Sequence, residues 1–467
     1  MSAAVTPVSA RVAPRVASAA VAAAALLTSL AASVWLVLAA AERPSVLSSP
    51  TQRADDPWLL GPFSGALRNL TTDPLRLRSD LVIALVVLFA AWLVAWISAP
   101  ALPLRYVAGA VAAAQLVWLA GPPQALTDAF NYIVYGRMAA HGLNPYLHAP
   151  VHAPHDAAYA LSNWHQLKSP YGPLFTLLSE PLGVLPLPAA YWLWKAIVVA
   201  CALGSLALIA QLARRLGASP QRALACAGLC PVTLAVGIGG FHNDLPAVVC
   251  LLGAVALLVR QGRRADAGAA ALAVAAAGLK PSFAIVVPLV VLGARHRPSA
   301  TAGAALATLA VGLIVELVFA GALPAVGVQD RLVDPLSLPN VVGALTGHGG
   351  ADPAIRSAGR VALIAVVAVA IVLVAWRREW ALPAIGLVLF ASVLSLSWVM
   401  PWYLAWALPF AALARPRALM PLTVVACVWL GLAGSPEMPK FVHALGWYPT
   451  RSATGHANHV YWTRLVR

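Results

Sequence analysis

Long, nearly unbroken apolar runs alternate along this chain with short basic breaks, and three wider polar stretches interrupt the pattern. Runs that are apolar all round, with no polar stripe at helical spacing, read as helices surrounded by lipid. With basic breaks assigned to the inner side, the spans are 17–41, 80–98, 104–121, 189–213, 223–240, 243–259, 266–279, 281–294, 299–320, 360–376, 381–397, 401–414 and 418–434. The N-terminus is then cytoplasmic, and loops 42–79, 122–188 and 321–359 with the tail 435–467 are exterior parts of one membrane-embedded domain, residues 1–467. The first run follows Arg11 and Arg15 but is longer than a signal-peptide core, so it reads as a retained anchor. Residues 173–188 are apolar but short and broken by proline, which fits a re-entrant or interfacial segment. The arms 266–279 and 281–294 are roughly 21 Å each as helix against a hydrocarbon core of about 30 Å. Their joint therefore leaves Lys280 near membrane depth, where a charge is costly.

The richest polar stretch is Thr127 to Tyr146. Thr127 is an N-cap type, Asp128 opens the first turn, and Gly142 with Asn144-Pro145 closes a helix over 128–141. Asp128, Asn131, Tyr132 and Tyr135 share one face and Phe130, Ile133 and Val134 the other, the pattern of an amphipathic helix lying on a membrane surface. Further on come Ser169-Pro-Tyr-Gly-Pro-Leu-Phe175, Phe241-His-Asn-Asp244 after a span ending in Gly-Gly, Leu279-Lys-Pro281, a loop beginning at Ser337, and Met400-Pro-Trp-Tyr-Leu-Ala-Trp406.

In their order these motifs resemble the GT-C class of polyprenyl-phosphate-sugar-dependent glycosyltransferases, most closely the actinobacterial mannosyltransferases that extend lipomannan, including the α-1,6 enzymes. The matching residues are Asp128, Tyr132, Gly142, Asn144-Pro145-Tyr146 and Tyr171-Gly172-Pro173-Leu174. The chain differs from the simplest members in its extra leading spans and in loop 42–79 with Asp55-Asp56. The resemblance implies an all-α polytopic bundle of about 11–13 transmembrane helices, with short amphipathic helices in its exterior loops. It implies transfer of a sugar from a polyprenyl-phosphate donor to a glycolipid or lipoglycan acceptor on the outer face of the plasma membrane. It also implies inversion with Asp128 as general base, and no metal or cofactor for donor binding.

Chemistry narrows the remaining candidates. Asp244 is the alternative base, and His242-Asn243-Asp244 reads equally as a polar cap on the next helix or as a binder of acceptor or donor headgroup. A phosphate needs a cation: Lys280 first, then Arg137, with Lys168 also in the loop. Lys195, in Tyr-Trp-Leu-Trp-Lys at the outer end of a span, reads as snorkelling among interfacial tryptophans. Tyr171, Trp402 and Tyr403 are placed to stack on sugar or line the isoprenoid entrance, or else belong to an aromatic belt.

Composition removes other classes. A mean hydropathy of +0.81 with 10% charged residues leaves no room for a separate soluble domain. The net charge of +15 would admit nucleic acid, but 15 of the 31 lysines and arginines lie in the inner breaks, so topology accounts for it. The five cysteines sit in apolar spans, which argues against disulfides and zinc, and His148, His152, His155 and His165 have the spacing of a mobile exterior loop rather than a metal motif. A transporter or flippase of lipid-linked sugars would share the spans and the membrane lysine, but should pair charges near the midplane of two related halves. No internal repeat is visible.

Overall fold

A computed structural model describes residues 18–42, 57–67, 74–124, 128–414, 418–435 and 437–466. All regular structure among these residues is helical, α, 3-10 or π, as the sequence predicts for a polytopic membrane protein. Thr127, Asp55-Asp56 and Arg415 to Arg417 lie outside the described residues.

Six described helices are long and apolar enough to cross a membrane: Ala19–Glu42, Ser79–Ala101, Leu187–Arg215, Arg297–Phe319, Pro353–Trp376 and Arg378–Ser395. Other expected spans are interrupted. Pro220–Gly228 meets the π-helix Val232–Ile238 at a bend of 46°. Arg263–Leu279 stops at Lys280 before the 3-10 turn Pro281–Val286, and 401–414 divides into Pro401–Trp406 and Leu408–Leu413. A proline stands at or beside each break, where its missing N–H and its ring prevent the ladder from continuing.

Several of the helices carry arginine at one end and approach the loops at the other. Leu187, Asp244, Leu279, Phe319 and Pro353 mark the loop ends, and Arg215, Arg260, Arg263, Arg297 and Trp376-Arg377 the opposite ones. Over the loop end lies a roof. The tail helix Ala453–Val466 returns to it, with the Gln166 amide donating to the Leu465 carbonyl at 2.9 Å and the Val333 amide to Asn458 Oδ1 at 2.8 Å. Trp164, Leu167, Leu332 and Leu465 form its small apolar core.

Asp128–Ala140 forms where the sequence predicts, but does not lie on a surface: both of its faces are buried. Phe130 stacks on Tyr191 at 5.6 Å and meets Trp58 edge-on, while Tyr132 and Tyr135 turn toward Tyr171. Trp58 belongs to loop 42–79, whose short helix Pro57–Leu60 thus backs the apolar side that periodicity alone would give to lipid.

Candidate active site

Asp128 starts its helix with the side chain turned into a cavity of about 250 Å³. Oδ1 accepts from Asn131 Nδ2 at 3.2 Å, and Oδ2 lies 3.4 Å from His242 Nδ1. Asn131 also clamps the following loop, donating to Asn163 Oδ1 at 2.7 Å and accepting from the Asn163 and Trp164 amides. His242 is fully buried, its ring stacked on Trp402 with centroids 3.6 Å apart and planes 7° from parallel. The backbone pays a local conformational cost to present it: Phe241 has φ 54°, and a side chain at Gly240 would run into the His242 ring.

Tyr132 stands between the two motifs, its hydroxyl 3.4 Å from both His242 Nδ1 and Asn243 Oδ1. Burial first, and then the Asp128 carboxylate, hold its phenol well above the ordinary range, so Tyr132 keeps its proton and serves as a donor. Tyr171 is raised for the same two reasons.

Asp244 is held differently. Its Oδ1 accepts from Lys280 Nζ at 2.5 Å and from the Trp406 indole, and Lys280 also lies over the rings of Tyr403 and Trp406. The break after Leu279 is what lets Lys280 turn inward. Gly172 seats the Tyr-Gly-Pro loop against that break: its amide donates to the Leu279 carbonyl at 3.2 Å, and a Cβ there would collide with the Gly278 carbonyl. Three consecutive residues keep buried polar atoms without a partner among the described residues: His242 Nε2, Asn243 Nδ2 and Asp244 Oδ2. Such atoms are costly unless something binds them, which favours the recognition reading of this triplet over the cap reading. Neither Asn243 nor Asp244 caps the helix Asp244–Arg260 through its side chain in the N-cap position.

Asp128, Tyr132, Tyr171, Asn243, Lys280, Trp402 and Tyr403 line the one cavity, with His242 and Asp244 directly behind them. Other sequence candidates do not reach it. Arg137 binds Asp156 at 2.7 Å and the Gly183 and Leu185 carbonyls, tying the loop to the broken segment after Ser179. Asn144 bonds the Phe319 carbonyl and the Tyr146 amide, and Tyr146 bonds the Tyr171 carbonyl and Thr176. These three are framework, and Lys168 is exposed outside the cavity. Lys195 does not snorkel: it is fully buried, donates to the Gly121 carbonyl at 2.8 Å and sits 3.6 Å over Trp192. Of the loop histidines, His165 stacks on Tyr159 and His148 meets His152 edge-on, while His155 is exposed.

Sequence reasoning missed part of the lining: Trp164, Trp398, Gln329, Asp330, Arg356 and Arg360. The signal for the arginines was present, since Arg356 and Arg360 are one turn apart at the loop end of a helix that is otherwise apolar to Trp376. A second, mainly apolar cavity of about 610 Å³ lies between Leu36, Leu81, Leu85 and Leu430. It shares Trp164, Trp398, Met400 and Trp402 with the first.

An all-helical membrane bundle with a carboxylate and a lysine at its loop end, roofed by folded loops, fits the GT-C class of membrane glycosyltransferases that the sequence motifs resemble. Residues 25–296, more than half of the chain, match the family model for "Alpha-(1->6)-mannopyranosyltransferase, N-terminal domain", and the chain belongs to that family. It is 28% identical over 419 residues to alpha-(1->6)-mannopyranosyltransferase A of Mycobacterium tuberculosis, covering 79% of each protein. It is 32% identical over 186 residues to the protein of that name from Corynebacterium glutamicum, covering 37% of this chain and 36% of the relative. No solved structure matches. The family match includes Asp128, His242-Asn243-Asp244 and Lys280 and stops before Arg356.

Proposed function

We propose that the protein transfers mannose from a polyprenyl-phosphate donor to a hydroxyl of a glycolipid or lipoglycan acceptor, with inversion, at the exterior end of the bundle. The observation that carries the reading is Asp128: a carboxylate on the cavity wall, touched by Asn131 and His242 and without an ammonium partner among the described residues. The acceptor hydroxyl attacks the anomeric carbon and gives its proton to Asp128. The bond from that carbon to the phosphate oxygen breaks, and its electron pair leaves with the phosphate. Tyr132 and Asn243 offer hydrogen bonds to sugar or acceptor hydroxyls, and the rings of Trp402, Tyr403 and Tyr171 line the same cavity. One carboxylate suffices for a single displacement, because a departing phosphate needs charge stabilisation more than an acid.

The paired cavities support two lipid-linked substrates. The polar one holds the reacting groups, and the apolar one accommodates the lipid-proximal part of an acceptor, the two meeting at the Trp164, Trp398, Met400 and Trp402 wall. The arginines at the far ends of the helices support an exterior site, since short basic loops favour the cytoplasm. Charges gathered at the loop end fit a transferase better than a transporter, whose substrate charges belong near the midplane.

Membranes containing the protein, supplied with labelled polyprenyl-phosphomannose and a panel of glycolipid acceptors, test this directly. Labelled glycolipid should form with the unaltered chain and not with Asp128→Asn. Label transfer from nucleotide-linked mannose alone, with no polyprenyl phosphate present, would overturn the lipid donor.

A further inference from the structure

The cations at this cavity are not equivalent. Lys280 is bound to Asp244 and covered by two rings. Arg356 and Arg360 line the same cavity from the helix Pro353–Trp376, and neither forms an ion pair with a carboxylate among the described residues. Arg356 is aimed by backbone oxygens, Nη1 donating to the Asp330 carbonyl at 3.2 Å and the Arg331 carbonyl at 3.4 Å, which leaves other guanidinium donors free. Arg360 has one long contact, Nη2 to Ser357 Oγ at 3.4 Å. Asp330 lines the cavity too, but its side chain is exposed and pairs with neither arginine. Arg356 also lies in the first turn of its helix, where the macrodipole disfavours a cation. Helix stability therefore gives no reason for it, and neither Asp352 nor Asp330 forms an ion pair with it among the described residues.

We propose that Arg356 and Arg360 form the anion subsite for the donor phosphate, an inference that rests on the mannosyl-transfer reading. The donor is a phosphodiester with one negative charge, and the leaving monoester approaches two near neutral pH. A pair of guanidinium groups therefore binds more strongly as the carbon–oxygen bond breaks, which is the condition for lowering the barrier rather than only holding substrate. The planar forks suit phosphate oxygens better than an ammonium does. Leu363, one turn further on, also lines the cavity, and Val361 and Ile364 are exposed and apolar, so the isoprenoid chain has a surface along the same helix.

The test uses the purified full-length chain in detergent and compares binding of a polyprenyl monophosphate with the uncharged polyprenol of equal length. The unaltered protein should prefer the phosphate by about tenfold or more. Arg356→Gln and Arg360→Gln should each remove most of that preference without changing polyprenol affinity, and the lysine variants should keep an intermediate preference. Arg331→Gln, which alters an arginine resting on Tyr461 outside the cavity, should keep all of it. No preference in the unaltered protein, or a preference retained in both glutamine variants, sinks the subsite. So does a preference that disappears with Lys280→Met while polyprenol affinity is unchanged and the arginines are intact. Should Arg356→Gln fail to fold, Arg356→Lys and Arg360→Gln carry the same comparison. Transfer assays on the same samples separate the two ideas. An arginine-dependent preference in a protein that transfers no mannose sinks the reaction and keeps the subsite, whereas active protein with arginine-independent binding sinks the subsite alone.

Discussion

Asp128 and Asp244 approach one cavity from different directions, and their partners divide the work between them. Asp128 is touched by an amide and an imidazole, whereas Asp244 is bound to an ammonium and an indole. Only the first has a carboxylate whose charge is not already engaged. Asp128→Asn should therefore keep the fold and donor binding but slow transfer at least about a hundredfold, the scale of general-base loss. Asp128→Glu should recover little, because one added methylene moves the oxygen away from the hydroxyl. Single-turnover transfer with donor bound checks both, and near-normal turnover in the asparagine variant removes Asp128 from the chemistry. Lys280→Met should act on stability, since it leaves the buried Asp244 charge uncompensated, a cost of about 3–5 kcal/mol. Adding Asp244→Asn should restore most of the unfolding midpoint, and purely additive losses would show that the pair is not coupled. Which side chains point into the cavity was readable for Asp128, Tyr132, Tyr171 and Lys280, whose motifs sit at helix ends or breaks. Arg137 was misjudged because helical spacing shows which face a residue occupies, not that Asp156 waits there.

Asp334 shows what an element can impose on a single group. The loop Leu332 to Ser337 is pinned by the Asp334 amide donating to the Ser397 carbonyl, and the carboxylate accepts from the Leu336 amide. Burial pushes the Asp334 carboxyl up to about 6, and the Leu336 and Ser337 amides oppose that rise. An unfolded chain releases this proton near pH 4. Between about pH 4 and 6 the folded state retains a proton that the unfolded state has lost, so stability falls as pH rises through that window and is level above it. Asp334→Asn cannot ionise and should lose less stability over the same range. Unfolding midpoints of both proteins in detergent at pH 4.5 and pH 7 test this, and an unchanging difference would refute it. At this scale the long helices were legible from hydrophobic runs alone. The enclosure of Asp128–Ala140 was not, because its apolar side is covered by Trp58 and Tyr191, both far from it in sequence.

Across the whole molecule, the arginine ends and the loop ends of the helices face opposite ways, and orientation follows from which one meets the cytoplasm. In a variant with the native cysteines replaced, a cysteine at Lys168, which is exposed beside the roof, should react with an impermeant thiol reagent applied to intact cells. A cysteine at Arg264, exposed at the other end, should react only after permeabilisation. The reverse pattern would put the cavity in the cytoplasm. The helical bundle was expected from the hydrophobic runs, whereas the roof was not, because it forms from residues such as Gln166 and Leu465 that are far apart in the chain. The wall of Trp164, Trp398, Met400 and Trp402 has a consequence for the order of events. Two chambers with a shared wall can both be filled at once, and the proposed single displacement needs both reactants present when the bond breaks. Initial rates measured over a grid of the two substrate concentrations should then give double-reciprocal lines that intersect, the signature of a ternary complex, and not the parallel lines of an enzyme that stores the sugar on itself between two half-reactions.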